Sequence, residues 1–293
     1  MTTGEAKPRL GYIGLGNQGA PMAKRYLDWP GGLTVFDVRA EAMAPFVEGG
    51  AAAAASLAEV ADADIISVTV LDDAQVRTVI VGDDGLAAHA KPGTIIAIHS
   101  TISDTTAVEL ARQLEPQGVY VVDAPVSGGA GAAAEGTLAT MVGADDQTFQ
   151  RIKEPFRRWA SLVIHAGEPG AGTRMKLARN MLTFVSYAAA AEAEKLAEAS
   201  GLSLRALARV VRHSDALTGG PAAIMFRENT APMKPDDPLR PLLEHTRVLG
   251  EKDLGLALAL GESLSVELPL AKLALERLAA GLGVPHPDLA EET

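Results

Sequence analysis

The sequence has 293 residues, of which 47% are hydrophobic and 22% charged, a composition typical of a globular protein with one large domain or two ordinary ones. Its formal net charge is -11 and no run of Lys and Arg interleaves with aromatic residues, which excludes the usual signature of a nucleic-acid-binding protein. The chain contains no cysteine, which excludes disulfides and thiolate metal sites, and we predict no metal site.

The first residues, MTTGEAKPR, lack the apolar core of a signal peptide. No stretch of about 18 apolar residues runs without a charge, so the sequence predicts no membrane span. These patterns favour a cytoplasmic protein with no membrane partner.

Short apolar runs alternate with longer helical segments from Leu10 to about residue 164. In chain order, the runs are LGYIGL, LTVFDV, DIISVTV, GTIIAIHS, VYVVDAPV, LATMVG and SLVIHA. This alternation is typical of βαβ units around a mostly parallel, buried sheet, so we predict a doubly wound α/β domain. The alanine blocks at 51–55 and 188–191 are interpreted as helix-packing segments.

The first apolar run leads into a glycine-rich turn. Gly14, Gly16 and Gly19 have G-x-G-x-x-G spacing between this strand and a helix, which permits a tight turn and a close backbone approach to a pyrophosphate. The helix N-terminus supplies N–H groups and partial positive charge for the phosphates. We predict a dinucleotide site here, which also includes the intervening residues Leu15, Asn17 and Gln18; a purely structural turn is the alternative.

Asp37 lies at the end of the second apolar run, LTVFDV. A carboxylate in this position can bind the ribose hydroxyls of a dinucleotide. Because a carboxylate repels a 2′-phosphate, Asp37 favours NAD over NADP. Arg39, two residues later, leaves NADP open as the alternative cofactor.

A second glycine cluster lies in DAPVSGGAGAAAEGTLATMVG, residues 123–143, and begins with Ser127, Gly128 and Gly129. Consecutive small residues expose backbone N–H groups, which can form a concave nest for a carboxylate. A flexible turn beside the sheet is the alternative interpretation.

The β-type runs stop at a linker-like segment, AGEPGAG, at residues 166–172. Helical periodicity follows over 174–200, 203–213 and 241–282, with a Pro-rich loop at 231–238. We therefore predict an α/β domain at residues 1–167 and an all-helical domain at residues 168–293.

The helix that opens the second domain carries Lys176 and Asn180 one turn apart, so an amine and a carboxamide project from one face. A lysine can exchange a proton with an alcohol or carbonyl oxygen if burial lowers its pKa toward neutrality. A solvated helix edge is the more common role of such a pair.

The motifs together resemble those of a known family. GYIGLGNQGAPMA, STIS at 100–103, DAPVSGG with GTLATMVG, GAGTRMKLARN and EKDLGLAL occur in the order and spacing of the β-hydroxyacid dehydrogenases. The chain resembles the 3-hydroxyisobutyrate dehydrogenase group over nearly its whole length. The resemblance implies an N-terminal Rossmann domain joined by a long interdomain helix to an all-α domain, and a homodimer or homotetramer.

The resemblance also implies roles for individual residues. Lys176 matches the family's catalytic lysine, and Asn180 matches the asparagine that helps to place the substrate. Ser127, Gly128 and Gly129 match the carboxylate-binding loop for a small anionic hydroxyacid or semialdehyde. The positions near the cofactor are Thr101 and Lys252, beside the nicotinamide, and Leu71, in a loop along it. The residues alone leave an alternative for two of these positions. Thr101 could cap a helix, and Lys252 could form a surface ion pair with Asp253.

Three departures from the family pattern are evident. His99 follows Ile98 where relatives commonly have an acidic residue, and we interpret His99 as a core or rim histidine. Asp72 stands where the family often has Pro, and we interpret it as a solvated residue of a surface loop. Arg212, His213 and Ser214 differ from the usual small residues, which leaves open either a larger, more polar substrate or surface variation.

The sequence thus predicts an NAD(P)-dependent enzyme that interconverts a small 3-hydroxy carboxylic acid and its semialdehyde or ketone, with Lys176 as general acid and base. The nearest alternative is an imine reductase of the same fold. Lys176 argues against it, because imine reductases typically carry Asp or Tyr at that position. A decarboxylating phosphogluconate enzyme is a second alternative, but it needs a longer helical domain and a basic phosphate site, and neither is evident in the sequence. A non-catalytic nicotinamide-binding regulator has no need of both Lys176 and Asn180.

Overall fold

The computed structural model describes residues 6–225, 227, 229–284 and 286. The chain forms two compact units, Met1–Arg179 and Asn180–Thr293. The first unit holds the sheet and its helices, and the second is helical. The domain boundary at residues 167 and 168 stays a prediction.

A nine-stranded sheet forms the first unit, in the order β3-β2-β1-β4-β5-β6-β8-β7, with β9 paired to β8. Strands β1 to β6 pair in parallel, whereas β8 runs antiparallel to both β6 and β7 and parallel to β9. The strands are β1 Leu10–Ile13, β2 Leu33–Phe36, β3 Ala52–Ala53, β4 Ile65–Val68, β5 Ile95–Ile98, β6 Tyr120–Asp123, β7 Val126–Ser127, β8 Leu138–Gly143 and β9 Ala160–Gly167. The predicted mostly parallel sheet is confirmed.

Helices cover both faces of this sheet. They are α1 Gly19–Lys24, α2 Ala40–Glu48, α3 Leu57–Val60, α4 Asp73–Val81, α5 Asp104–Leu114, α6 Gly129–Glu135 and α7 Asp146–Phe156, with short 3-10 turns at Leu86–Ala88 and Glu115–Gln117. Successive strand residues alternate between two cores: Ile95 and Ala97 pack on the side of α1 and α7, whereas Ile96 and Ile98 pack on the side of α4 and α5. Strands covered on both faces must be apolar throughout, which is why the runs in the sequence are continuous.

One alanine block was interpreted wrongly. Residues 52 and 53 form the short edge strand β3, paired in parallel with β2, and not a helix. Alanine carries little strand preference, so the local sequence gives no signal for this pairing. The block at 188–191 lies in a helix, as expected.

The second unit is built from long helices, which are α8 Ala171–Ala199, α9 Leu204–Thr218, α10 Arg240–Ser263 and α11 Pro269–Gly281, with a 3-10 turn at Gly220–Ile224. The long helix α8 begins in the first unit and continues into the second. Its length confirms the expected long helix between an α/β and an all-α region. The predicted helical segment 241–282 is divided into α10 and α11, and α11 begins at a proline, a favoured first-turn residue. A small core of Met233, Leu243, Leu282 and Val284 lies within this unit.

Candidate active site

The glycine loop lies between β1 and α1, where β1 separates β2 from β4. Ligands of open α/β sheets bind at such a reversal of strand order. Gly14 has φ +89°, and a Cβ atom built there would lie 2.0 Å from the carbonyl oxygen of Thr69. At Gly16, by contrast, nothing lies within 4 Å of a built Cβ. The first glycine is thus required by the fold, while the second leaves open space where a phosphate can approach the backbone.

A cavity of about 610 Å³ adjoins this loop. Its lining includes the predicted cofactor residues Gly14, Gly16, Asn17, Gln18, Gly19, Asp37 and Leu71. It also includes Gln75, Thr78 and Val79 of α4, which sequence reasoning missed because only the fold brings α4 to the loop. Val38 and Leu71 are 91% and 79% exposed, so the mouth of the cavity offers apolar surface to a ring system.

Asp37 follows β2 and is fixed by three hydrogen bonds. Its carboxylate accepts from the backbone N–H of Leu15 at 2.7 Å, from the backbone N–H of Arg39 at 2.9 Å and from the Arg39 guanidinium at 3.2 Å. Burial alone would raise the pKa of Asp37, but the hydrogen bonds from Arg39 and Leu15 outweigh it and lower the pKa below its ordinary value. The side chain of Leu15 itself is buried. These residues fit a dinucleotide, because they offer an ionised acceptor for ribose hydroxyls beside an open phosphate loop.

Lys176 lies on the first part of α8 and is only 8% exposed. Its Nζ donates a hydrogen bond to the carbonyl oxygen of Val126 at 2.7 Å. Burial, and secondarily the positive charge of Arg179, lowers the pKa of Lys176. A buried amine of lowered pKa is suited to proton transfer, and it is not the solvated helix edge that composition alone would favour.

Val126 immediately precedes the predicted carboxylate loop, so the structure brings Lys176 and this loop together. Ser127 ends β7, and Gly128 and Gly129 have φ values of +134° and +76° at the start of α6. A Cβ on Gly128 would meet Ala132 at 2.8 Å. Both glycines lie in the backbone region that side chains disfavour, which gives a physical reason for their adjacent placement.

The other predicted site residues lie as follows. Asn180 is half-buried on α8, one turn beyond Lys176. Thr101 is exposed after β5 and does not cap α5, whose N-cap residue is Ser103. Lys252, on α10 in the second unit, forms an exposed ion pair with Asp253 at 3.0 Å. The roles of these residues toward ligands stay predictions.

The three departures from the family pattern also have defined places. His99 is 3% exposed, and its ring contacts the carbonyl oxygen of Ala124 at 2.8 Å and the hydroxyl of Ser67 at 3.0 Å, so it is a core histidine. Asp72 caps α4 by accepting from the N–H of Gln75, and is therefore more than a solvated loop residue. Residues 212–214 are exposed on α9.

Two polar residues around the site were missed in the sequence. Ser100 both accepts from the N–H of Val70 at 3.0 Å and donates to its carbonyl at 2.7 Å, which holds the loop after β4. Asp123 is fully buried at the end of β6. A carboxylate inside the apolar run VYVVDAPV was the available signal for Asp123.

No group of three or more His, Asp or Glu side chains within the described residues is arranged to hold a metal ion. In the same parts of the chain, every helix is too short or too polar to cross a membrane.

Two family models match the chain. Residues 9–167 match the NAD binding domain of 6-phosphogluconate dehydrogenase, and residues 170–289 match the NAD-binding domain of NADP-dependent 3-hydroxyisobutyrate dehydrogenase. The first match covers more than half of the chain and contains the glycine loop.

Curated relatives and a solved structure agree with these matches. An uncharacterized oxidoreductase of Mycobacterium tuberculosis is 79% identical over the full length of both chains. The NAD-dependent L-serine dehydrogenase of Pseudomonas aeruginosa is 34% identical over 96% of this chain and 95% of its own. The structure of M. tuberculosis 3-hydroxyisobutyrate dehydrogenase with L-serine is 33% identical, covers 93% of each chain and superposes with a TM-score of 0.66. The chain therefore belongs to the 3-hydroxyisobutyrate dehydrogenase-like family of β-hydroxyacid dehydrogenases and is an NAD(P)-dependent oxidoreductase that acts on CH–OH groups.

Proposed function

We propose that this enzyme interconverts a small 3-hydroxy carboxylate and its semialdehyde or ketone, with NAD as the preferred cofactor and Lys176 as general acid and base. The observation that carries the proposal is the burial of Lys176 with its Nζ 2.7 Å from the carbonyl of Val126, directly before the Ser127–Gly129 loop. This arrangement supports a site in which one group exchanges a proton beside a loop that binds a carboxylate. The named relatives act on or bind compounds of this class, including L-serine, which is itself a 3-hydroxy acid.

Lys176 supplies the proton chemistry in both directions. The neutral amine accepts the hydroxyl proton during oxidation, and the ammonium donates a proton to the carbonyl oxygen during reduction. Bound nicotinamide supplies the hydride acceptor or donor. The lowered pKa of Lys176 increases the neutral fraction near neutral pH, while the Val126 carbonyl occupies one N–H and leaves the other N–H directions for substrate.

The substrate carboxylate binds, in this proposal, to Ser127, Gly128 and Gly129. Gly128 and Gly129 are exposed and carry no side chain over their backbone N–H groups, and the hydroxyl of Ser127 belongs to the adjacent residue. Asn180 then places the reacting oxygen or a neighbouring hydroxyl, since a carboxamide can do so without adding charge. Thr101 and Lys252 are proposed to lie near the nicotinamide, and Leu71 along the cofactor.

The preference for NAD is supported by the hydrogen bonds of Asp37. Its ionised carboxylate can accept from ribose hydroxyls and repels a 2′-phosphate. Arg39 is held by that same carboxylate, so its charge is partly neutralised in place. The 34% identical relative is named as NAD-dependent.

A homo-oligomer, a dimer or a tetramer, is also part of the proposal. Within the second unit, α8 carries four apolar residues that are each 54–66% exposed: Met181, Phe184, Val185 and Tyr187. A contiguous apolar stripe of this kind on a helix is characteristic of an interface, and we assign it to a second copy of the chain. Light scattering after size-exclusion chromatography should show the oligomer in the wild-type protein and a smaller species for Phe184→Asp.

The proposed activity is tested by the change in reduced-nicotinamide absorbance. L-serine, 3-hydroxyisobutyrate and L-threonate are each offered with NAD or NADP, and the matching semialdehydes or ketones are each offered with NADH or NADPH. We expect turnover with a small 3-hydroxy acid and NAD. Lys176→Ala and Lys176→Arg should both lose it, because arginine keeps the charge but does not release its proton. Calorimetric NAD binding by both variants is the control; turnover near the wild-type rate in either variant would remove the lysine from the mechanism.

A further inference from the structure

Asp123 presents a buried carboxylate to the beginning of α8. It has no exposed surface, and its two oxygens accept hydrogen bonds from two different residues of that helix start. Oδ1 accepts from the N–H of Gly170 at 2.7 Å, and Oδ2 accepts from the N–H of Thr173 at 2.5 Å. A carboxylate in this place matches both the hydrogen-bonding need and the positive partial charge of a helix N-terminus.

The two amides that Asp123 binds are those that a capping box normally satisfies from within the helix. In a capping box, the side chain of the N-cap residue accepts from the third helical residue, whose own side chain accepts from the N-cap N–H. Helix α8 starts at Ala171, so Gly170 occupies the N-cap position and Thr173 the third helical position. Gly170 has no side chain to cap with. A single carboxylate from β6 therefore replaces both halves of the motif.

The same end of α8 lies directly against the sheet backbone. A Cβ built on Gly172 would lie 2.2 Å from the carbonyl oxygen of Met141 and 2.8 Å from that of Asp123. A Cβ built on Gly143 would lie 2.2 Å from Oδ1 of Asp123. The first turn of α8 and the Asp123 carboxylate are thus enclosed by backbone atoms, which leaves the helix little freedom to slide or rotate.

The segment that contains Asp123 also contacts Lys176. Asp123 fixes the helix at Gly170 and Thr173, and Val126, three residues after Asp123, accepts the hydrogen bond from Lys176 Nζ. Lys176 lies three residues beyond Thr173, about 4.5 Å along the helix axis. A slip of one residue would move the helix by about 1.5 Å and rotate Lys176 by about 100°, away from the Val126 carbonyl.

We infer that Asp123 is a positioning residue for Lys176: its carboxylate sets the register of α8 and so holds the lysine amine at the substrate loop. The inference rests on the proposed role of Lys176 in proton transfer. It predicts that changes at Asp123 affect the lysine without altering the cofactor cavity, since Asp123 is not part of the lining of that cavity.

The test uses two Asp123 variants and a matched control. Asp123→Asn keeps the shape but turns an N–H donor toward one of the two backbone N–H groups. Asp123→Glu keeps the charge but extends the side chain by about 1.5 Å, one C–C bond. Asp145→Asn is the control, because Asp145 caps α7 through the N–H of Thr148 at 2.9 Å, and α7 carries no proposed site residue. Tryptophan fluorescence and NAD binding verify that each variant is folded.

The primary measurement is the pKa of Lys176, followed by NMR of ¹³Cε-labelled lysine and assigned from the signal missing in Lys176→Met. In both Asp123 variants we expect this pKa to rise toward the ordinary lysine value, because burial is the largest influence on it and the regained solvation of a misplaced amine outweighs the lost hydrogen bond to the Val126 carbonyl. A direct charge effect of Asp123→Asn would have the opposite sign, since removal of a nearby carboxylate lowers a lysine pKa. An unchanged or lowered pKa in folded Asp123→Asn would overturn the inference.

Kinetics give the second measurement, with the 3-hydroxy acid that the panel identifies. The value of kcat should fall about 10- to 100-fold in both Asp123 variants, while the KM for the acid and the Kd for NAD change less than about 3-fold. Adding Asp123→Asn to Lys176→Met should cause no further loss, because a positioning residue acts through the lysine. A further loss in the double variant, or wild-type kcat in Asp123→Asn, would refute the inference.

The two proposals can fail separately. If Lys176→Ala retains turnover, the proposed role of Lys176 in proton transfer is wrong, and the NMR titration still decides whether Asp123 positions the amine. If Asp123→Asn does not fold, Gly172→Ala moves the helix start by a different contact, against the Met141 carbonyl, and should raise the lysine pKa in the same direction.

Discussion

Replacing His99 by Gln should remove a pH-dependent loss of stability. The imidazole is enclosed by aromatic rings, with centroids 5.2 Å from Trp159, 5.3 Å from Phe156 and 6.4 Å from Tyr12. Because Ala124 offers only a carbonyl oxygen, Nδ1 carries the proton, and Nε2 accepts from the hydroxyl of Ser67. The folded protein thus holds the neutral ring.

Burial lowers the pKa of His99 from 6.5 to about 4, opposed by the hydrogen bond to the carbonyl of Ala124. Between these two values the unfolded chain binds the proton and the folded protein does not, so stability falls as the pH falls through this window. A difference of about 2.5 pH units at 1.36 kcal/mol per unit gives a loss of about 3 kcal/mol, complete near pH 4.

Urea unfolding between pH 4.5 and 8, followed by tryptophan fluorescence, measures this effect. Both tryptophans of the chain, Trp29 and Trp159, lie in the first unit, so the signal reports the unit that contains His99. Gln can donate to Ala124 and accept from Ser67 without titrating, and the exposed His89 changed to Gln is the control. Parallel pH profiles for wild type and His99→Gln would refute the reasoning.

Other expected outcomes concern the cofactor loop and the lysine. Gly14→Ala should destabilise the first unit by more than about 2 kcal/mol in urea, because its Cβ would lie 2.0 Å from a carbonyl oxygen at a positive φ. Gly16→Ala should unfold like wild type but bind NAD at least about 10-fold more weakly by calorimetry, since only the phosphate approach is blocked. Asp37→Ala should weaken NAD binding about 10- to 100-fold and reduce discrimination against NADP; unchanged selectivity would contradict the role of this carboxylate. In oxidation, kcat should rise with pH through the pKa of Lys176, which burial lowers from its ordinary value, and in reduction it should fall over the same range.

Structural features that depend on neighbouring residues could be predicted from the sequence. Continuous apolar runs identified the long strands, and the G-x-G-x-x-G spacing identified the turn between β1 and α1 that lines the cavity, because both depend on neighbouring residues. The strand at Ala52–Ala53 was missed since its partner β2, and not its composition, determines its structure. Asp123 was missed for a related reason: it caps a helix whose first amides lie 47 and 50 residues further along the chain. The carboxylate within an apolar run marks Asp123 as unusual, but no local pattern shows which distant amides it caps.

The hydrogen bond between Lys176 and Val126 bears on a possible side reaction, the formation of a Schiff base between the lysine and an aldehyde. A neutral amine and an aldehyde are the reactants of a Schiff base, and the proposed product is an aldehyde. The carbonyl of Val126 binds an N–H of Lys176 at 2.7 Å and favours the ammonium form, in which the nitrogen has no lone pair to attack carbon. Burial and this carbonyl therefore act in opposite directions on the pKa of one amine. In the proposed oxidation, the proton taken from the hydroxyl leaves no lone pair on the nitrogen at the moment when the aldehyde forms.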